Sequence, residues 1–455
     1  MARKVRADHA AVVRTTNRRT LAVAAVVAVV LILAAVVGLR SQNPSSVTAT
    51  PTAQSSANTA TPTVQASATS AAVSPTPTAS GAATPSVTQG TALVTTTPLG
   101  VLRGQIVWVT RAVSTPAPAN LRAVMEYQLW ALPLDGSLAR MAVRYQSSFA
   151  EQGTFDYRDT NILRRQFSPD GRRVVLSVSD GGQNQELRVI NLETGAVSVL
   201  FPGSHVDVDA AWSPDGSKIA FVRRASGTGE VWVANADGAN AKMLKAGGPA
   251  SPPRLFGWLP DSQRLCLVPQ VFEQARIAVL DLNGNVTSGP GYNTNSVDPA
   301  SWRNGSPALA VGINASGNPP EHFQIVVSNG PDEQSPRIVA DVNMSGQTDR
   351  TVTGVRDPRW DPAGSQTLIY VEDGTQGSLV IADLSAGTKK QVSGRVSRAD
   401  WLPNGDGIVS IEEHPSTAPK TVNVYERDGR IRKSDLFLQL NDFDHTLTDL
   451  AARTY

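Results

Sequence analysis

Short apolar runs, four or five residues long and bounded by turn formers, recur along the chain from residue 104 to about residue 435. Seven of them read as one strand of a repeated unit: Ile106–Thr110, Val174–Val178, Ile219–Val222, Leu265–Val268, Ala308–Val311, Leu368–Val371 and Ile408–Ile411. Each is rich in β-branched or aromatic residues, which suit a pleated surface. A further run follows in several units, as at Leu187–Ile190, Val231–Ala234, Ile277–Leu280 and Leu379–Ala382. It ends in Asp135-Gly136, Thr194-Gly195, Asp237-Gly238, Asn283-Gly284, Ala386-Gly387 or Asp428-Gly429. Such dipeptides supply the positive φ of tight hairpins.

An aromatic residue and a proline turn precede most of the runs. The sharp copies are Phe167-Ser-Pro-Asp-Gly171 and Trp212-Ser-Pro-Asp-Gly216; weaker ones begin at Trp258, Trp302, Trp360 and Trp401. The aromatic steps are 45, 46, 44, 58 and 41 residues. In the turn, proline presets φ, the preceding polar residue bonds back to the backbone, and glycine takes the fourth place. A period of about 40–50 residues made of short strands predicts propeller blades. The expected fold is all-β, a single propeller of seven blades, or six if the first and last units merge. The first unit lacks its own innermost strand, so the C-terminal segment is expected to supply it and leave no open sheet edge.

The repeat resembles that of TolB-like (PD40) propellers, a WD-like pattern of Phe/Trp-Ser-Pro-Asp-Gly followed by a strand, over roughly residues 104–435. The same repeat occurs in the propellers of prolyl-oligopeptidase-like enzymes. Those enzymes add an α/β-hydrolase domain with a Gly-x-Ser-x-Gly elbow, and no such pentapeptide occurs here.

The first hundred residues follow another pattern. Arg3, Lys4, Arg6, Arg14, Arg18 and Arg19 mark a basic tail over 1–20, ahead of an uncharged apolar run from Leu21 to Leu39. A helix over those 19 residues rises about 28 Å, enough to cross a hydrocarbon core. The basic flank places the N-terminus in the cytoplasm and the propeller outside, as a single-pass signal anchor. A cleaved signal peptide is the alternative, disfavoured by the length of the basic and apolar regions. Residues 41–98 are an uncharged Ser/Thr/Ala/Pro-rich stretch, expected to be a disordered stalk, glycosylated or bare. The propeller is expected over 99–455, as a monomer.

Charge narrows the partners. The chain has 41 basic and 39 acidic residues, but residues 1–40 hold seven basic and one acidic, leaving 34 basic against 38 acidic beyond the membrane. That −4 balance gives no general attraction to nucleic acid. The five histidines (His9, His205, His322, His414 and His445) have no paired spacing, Asp207-Val-Asp209 lacks an EF-hand continuation, and no metal or cofactor is expected. Cys266, the only cysteine, reads as a small buried apolar residue.

The candidate binding residues lie just before the wedge aromatics: Arg164, Arg165, Asp209, Asp298, Asp357, Arg359, Arg398 and Asp400. On equivalent blade positions they gather at one channel mouth and form a rim of mixed sign. Exposed rim charges steer more than they stabilise, so reversing Asp357 and Asp400 to lysine is expected to leave stability within about 1 kcal/mol. The function expected is a non-catalytic module that binds an envelope protein, peptide or glycan. The alternatives are an envelope lyase or hydrolase acting at the channel mouth, and the sensor domain of a signalling system.

Overall fold

Both faces of the strand Gln105–Val113 are buried. Ile106 and Trp108 point into one apolar cluster with Phe167, Val174 and Leu176, whereas Val107 and Val109 point into another with Val409, Ile411 and Val424. A strand sandwiched in this way reads as continuous hydrophobic sequence rather than alternation, which is why the repeat shows apolar runs. Every one of the principal clusters straddles two neighbouring blades, for example Trp212 and Phe221 with Val175 and Leu187, or Trp401 and Ile408 with Ile369 and Val371. The core is therefore a set of wedges between blades.

The computed structural model describes residues 94–113, 124–148, 162–179, 184–203, 205–225, 228–246, 254–268, 275–292, 294–297, 301–302, 309–315, 322–330, 336–343, 352–374, 377–412, 420–434, 436 and 445–455. The basic tail, the anchor Leu21–Leu39 and the stalk up to residue 93 lie outside them. Among the described residues no helix is long and apolar enough to cross a membrane.

Among the described residues seven hairpin units follow one another. Blade three is representative, with Val206–Trp212 innermost, then Lys218–Ala225, Thr228–Asn235 and Lys242–Ala246, all antiparallel. Blades four to seven repeat this from inner strands at Arg254–Trp258, Ser301–Trp302 (with Thr294–Val297), Val352–Trp360 and Val396–Trp401. The hydrogen-bonded sheets number six among the described residues, because a parallel pair between Gln185 and Val206 joins blades two and three. Each blade touches the next, and blade seven returns to blade one.

Two blades depart from the pattern. In blade one the innermost strand is His445–Thr454, antiparallel to Gln105–Val113 from Thr454–Gln105 to His445–Val113. The C-terminal segment thus completes the first unit, as its missing strand predicted. The same blade gains an outer strand at Val94–Thr96, paired with Arg140–Ser148, and Leu99 and Leu102 are buried in the core. The packed chain therefore begins at or before Val94, inside the stretch 41–98 read as stalk. In blade two a five-residue helix, α1 (Ile162–Gln166), stands where the innermost strand would be, and only Phe167 bridges to Val174.

The proline turns hold as read. Gly171 N–H donates to Ser168 O (2.8 Å) and Gly216 N–H to Ser213 O (2.9 Å), with both glycines at φ 72°. Ser168 Oγ accepts from Arg173 N–H (3.0 Å), and Ser213 Oγ does the same for Lys218 N–H (2.9 Å). Two of the wedge tryptophans bond backwards across the blade seam: Trp258 Nε1–H to Ala211 O (3.0 Å), and Trp401 Nε1–H to Arg359 O (3.1 Å). Each acceptor directly precedes the previous blade's own tryptophan, so one repeated bond indexes blade to blade. Cys266 is fully buried, and burial alone pushes its thiol up to about 12.

Candidate functional site

The inner strands of blades three and six each contain a kink. Asp209 and Asp357, both three residues before a wedge tryptophan, sit at φ 55°, and the register with the next strand shifts at that point. Aspartate tolerates this left-handed conformation better than most side chains. Such a bulge re-aims a side chain. In blade six, Asp357 Oδ2 accepts from Arg356 Nη1 (2.7 Å) and Arg398 Nη1 (3.3 Å). In blade three, Asp209 Oδ1 lies 3.6 Å from Arg165 Nη2. Just upstream, Asp207 is fully buried in a two-bond pairing with Arg223 (2.7 and 2.8 Å). The Asp207-Val-Asp209 pair is thus split between two arginines, Asp207 with Arg223 and Asp209 with Arg165.

A cavity of about 590 Å³ opens at the end of the channel where the inner strands run into their proline turns. Arg164, Arg165, Arg359, Arg453 and Asp400 line it, with Phe167, Trp212, Phe256, Trp258 and Trp401 as the aromatic part of its wall. Pro169, Pro214 and Pro403 place it on the turn side, opposite to where the inner strands begin.

Of the residues picked from sequence, Arg164, Arg165, Arg359 and Asp400 meet in this cavity. Asp209, Asp357 and Arg398 do not line it, and Asp298 lies outside the described residues. The exposed-rim expectation needs correction. Asp357, Arg359 and Asp400 are 3, 2 and 3% exposed, so reversing Asp357 and Asp400 to lysine would bury like charges beside arginines. Their positions on an inner strand, packed from both sides, explain the burial. Two further residues come from the closing strand: Arg453, which lines the cavity, and Asp449. Their only sequence signal was the expectation that this segment would become an innermost strand.

The electrostatics follow from burial. Burial lowers the Arg165 and Arg359 guanidinium pKa values, opposed by Asp209 and by Asp357 respectively. It brings Arg453 down to about 10, helped by the charge of Arg164. Burial also raises the Asp209 carboxyl, against the pull of Arg165. Asp400 Oδ1 accepts from Trp401 N–H (2.9 Å) and Arg164 Nη1 (3.1 Å). Asp449 caps α1 through Leu163 N–H (2.9 Å) and takes Leu450 N–H (2.9 Å) on its other oxygen.

Burial pushes the Asp449 carboxyl up from 3.8 to about 7, despite those two donors. Between those values the folded protein binds a proton that the unfolded chain releases. Its contribution to stability is therefore full below the lower value and lost as pH rises toward about 7. The loss is on the order of 1–4 kcal/mol. Asp449→Asn titrates no proton and is expected to flatten the fall in Tm across that window, whatever it does to absolute stability. A slope identical to the parent's in differential scanning calorimetry would exclude Asp449 as its source.

Residues 158–309 match the family described as the TolB beta propeller domain. The chain carries a TolB-like β-propeller, and the blades beyond that stretch repeat its architecture. Among solved structures it is similar to an oligogalacturonate lyase in complex with manganese, at 14% identity over 73% of this chain and 85% of that one, TM-score 0.47. It is also similar to TolB from Acinetobacter baumannii, at 12% identity over 71% and 78%, TM-score 0.42. A third is the oligogalacturonate lyase of Vibrio parahaemolyticus, at 12% over 73% and 86%, TM-score 0.46. None of these three likenesses bears on ligand or activity.

Proposed function

We propose that this protein is a membrane-anchored, extracytoplasmic propeller that binds a polar partner (an envelope protein, peptide or glycan) at the turn-side mouth of its channel. The observation that carries the reading is the 590 Å³ cavity, within the range of specific ligand sites, walled by tryptophans and set with arginines and one aspartate. Aromatic and arginine side chains are the residue types that dominate binding energy at interfaces. The apolar run Leu21–Leu39 with its basic flank supports the anchor, and the uncharged stalk supports reach away from the membrane. The enzymatic alternative would draw on Asp449, the carboxyl held near neutrality. Both of its oxygens already accept backbone N–H groups and it does not line the cavity, which favours a structural role for it.

Capture from envelope extract by the full-length protein in non-ionic detergent tests the mouth. Arg164→Glu alters a partly exposed mouth residue; Met243→Glu alters an exposed one on the outer strand of blade three. Loss of a captured partner with Arg164→Glu but not with Met243→Glu is the expected result. The reverse pattern moves the binding face to the rim of the disc. Protease added to intact spheroplasts is expected to reach the propeller, and full protection would invert the topology.

A further inference from the structure

Four arginines and one carboxylate share the wall of the channel cavity. Arg359 is 2% exposed and donates through Nη1 to Pro358 O (2.6 Å), yet its Nε and Nη2 have no hydrogen-bond partner. Its nearest carboxylate oxygen, Asp357 Oδ1, stands 4.0 Å from Nη2, beyond hydrogen-bond length. Arg165 gives Nη1 to Leu255 O and leaves Nε without a partner. Arg453 donates to Ala452 O (2.7 Å) and Arg164 O (2.5 Å). Most of these bonds end on neutral carbonyls, which satisfy geometry but cancel no charge.

The neighbouring carboxylates are already engaged. Asp400 serves Trp401 N–H and Arg164, Asp209 lies 3.6 Å from Arg165, Asp357 serves Arg356 and Arg398, and Asp449 serves two backbone amides. A buried guanidinium with idle donors is costly, and buried donors in native proteins are almost always paired. What the cavity lacks is an acceptor carrying negative charge. A group with two or three coplanar or tetrahedral oxygens fits the guanidinium fork. Asp400 answers Arg164 and Asp209 faces Arg165, which leaves Arg359 and Arg453 without a carboxylate in hydrogen-bond reach; such a pair would repel a cation, and a neutral sugar would leave its charge unanswered.

We infer that this cavity is an oxyanion site, taking a carboxylate or phosphate group through Arg359, with Arg164, Arg165 and Arg453 around it. The inference rests on the reading of the channel mouth as a binding site and specifies its chemistry. The group is either a free small anion or the tip of a larger partner threaded into the mouth. The volume of about 590 Å³ admits either one.

The test is calorimetric titration and thermal shift on the full-length protein in non-ionic detergent at constant ionic strength. The probes are inorganic phosphate, succinate and glucose. Phosphate or succinate is expected to raise Tm and give a saturable isotherm, glucose to do neither, and Arg359→Gln to weaken binding roughly tenfold or more. Arg164→Gln, at a partly exposed side chain, provides the same readout should Arg359→Gln fail to fold. No response beyond a sodium chloride control overturns the inference, as does parent-like binding in the folded variants. If capture of an envelope partner still depends on Arg164 while no anion binds, the mouth reading stands and the oxyanion site falls. Anion binding with partner capture insensitive to Arg164→Glu leaves the oxyanion site standing as a free-anion site and removes the partner from the mouth.

Discussion

Deleting residues 445–455 is expected to abolish the cooperative unfolding transition of the propeller. That segment supplies the innermost strand of blade one, registered along the whole of Gln105–Val113. It buries Leu447, Leu450, Ala451 and Ala452, and these join clusters on both sides of the blade. Tyr455 accepts from the fully buried Trp108 Nε1 (2.9 Å) and donates to Gly171 O (3.0 Å), so it ties blade one to the first proline turn. Burying each large apolar side chain contributes about 1.5–3 kcal/mol, and a whole domain retains only about 5–15 kcal/mol. Losing the strand also bares the edge of Gln105–Val113, a template for aggregation. Urea unfolding followed by tryptophan fluorescence reads the result. A single transition at the parent's midpoint would show that the ring closes without this strand.

Asp357→Asn is expected to destabilise the fold by about 3–5 kcal/mol, the usual consequence of removing one partner of a buried charge cluster. The asparagine keeps the shape and tolerates the left-handed backbone at this position, where φ is 55°. Only the charge that answers Arg356 and Arg398 disappears. Alanine at the same place adds backbone strain and is expected to cost more. A urea midpoint for Asp357→Asn that corresponds to less than about 1 kcal/mol would mean the arginines find water or other carboxylates in its absence.

The repeat was legible because its turn chemistry is local. Ser-Pro-Asp-Gly needs a fixed φ, a back-bonding hydroxyl and a glycine in adjacent positions, and Ser168–Gly171 and Ser213–Gly216 satisfy all three within a few residues. The closing strand was legible for the opposite reason, since a ring missing one inner strand must find it at the far end of the chain. The burial of Asp357 and Asp400 was not. A charged residue in sequence defaults to the surface, and only the pairing partners, reached from other strands or other blades, reveal how it is accommodated. The helix α1 was also hidden. Nothing in Ile162-Leu-Arg-Arg-Gln166 distinguishes a single helical turn from the expected strand, and its cap, Asp449, lies far away in sequence. Arg453 shared that fate, because its relation to Arg164 exists only once the ring has closed.

Repetition gives a ring near-rotational symmetry, and a symmetric socket cannot tell a ligand which way to turn. α1 removes that degeneracy. On a strand, consecutive side chains point to opposite faces, but on a helix they fan out by about 100°. Arg164 and Arg165 therefore diverge within the lumen, the first toward Asp400 of blade seven and the second toward Asp209 and Leu255 of blades three and four. One short helix sets adjacent cations at two separate azimuths, like the ward of a lock. An asymmetric ligand entering the channel would meet a single favoured rotation about the ring axis, and its far end would leave the mouth pointing toward a fixed blade.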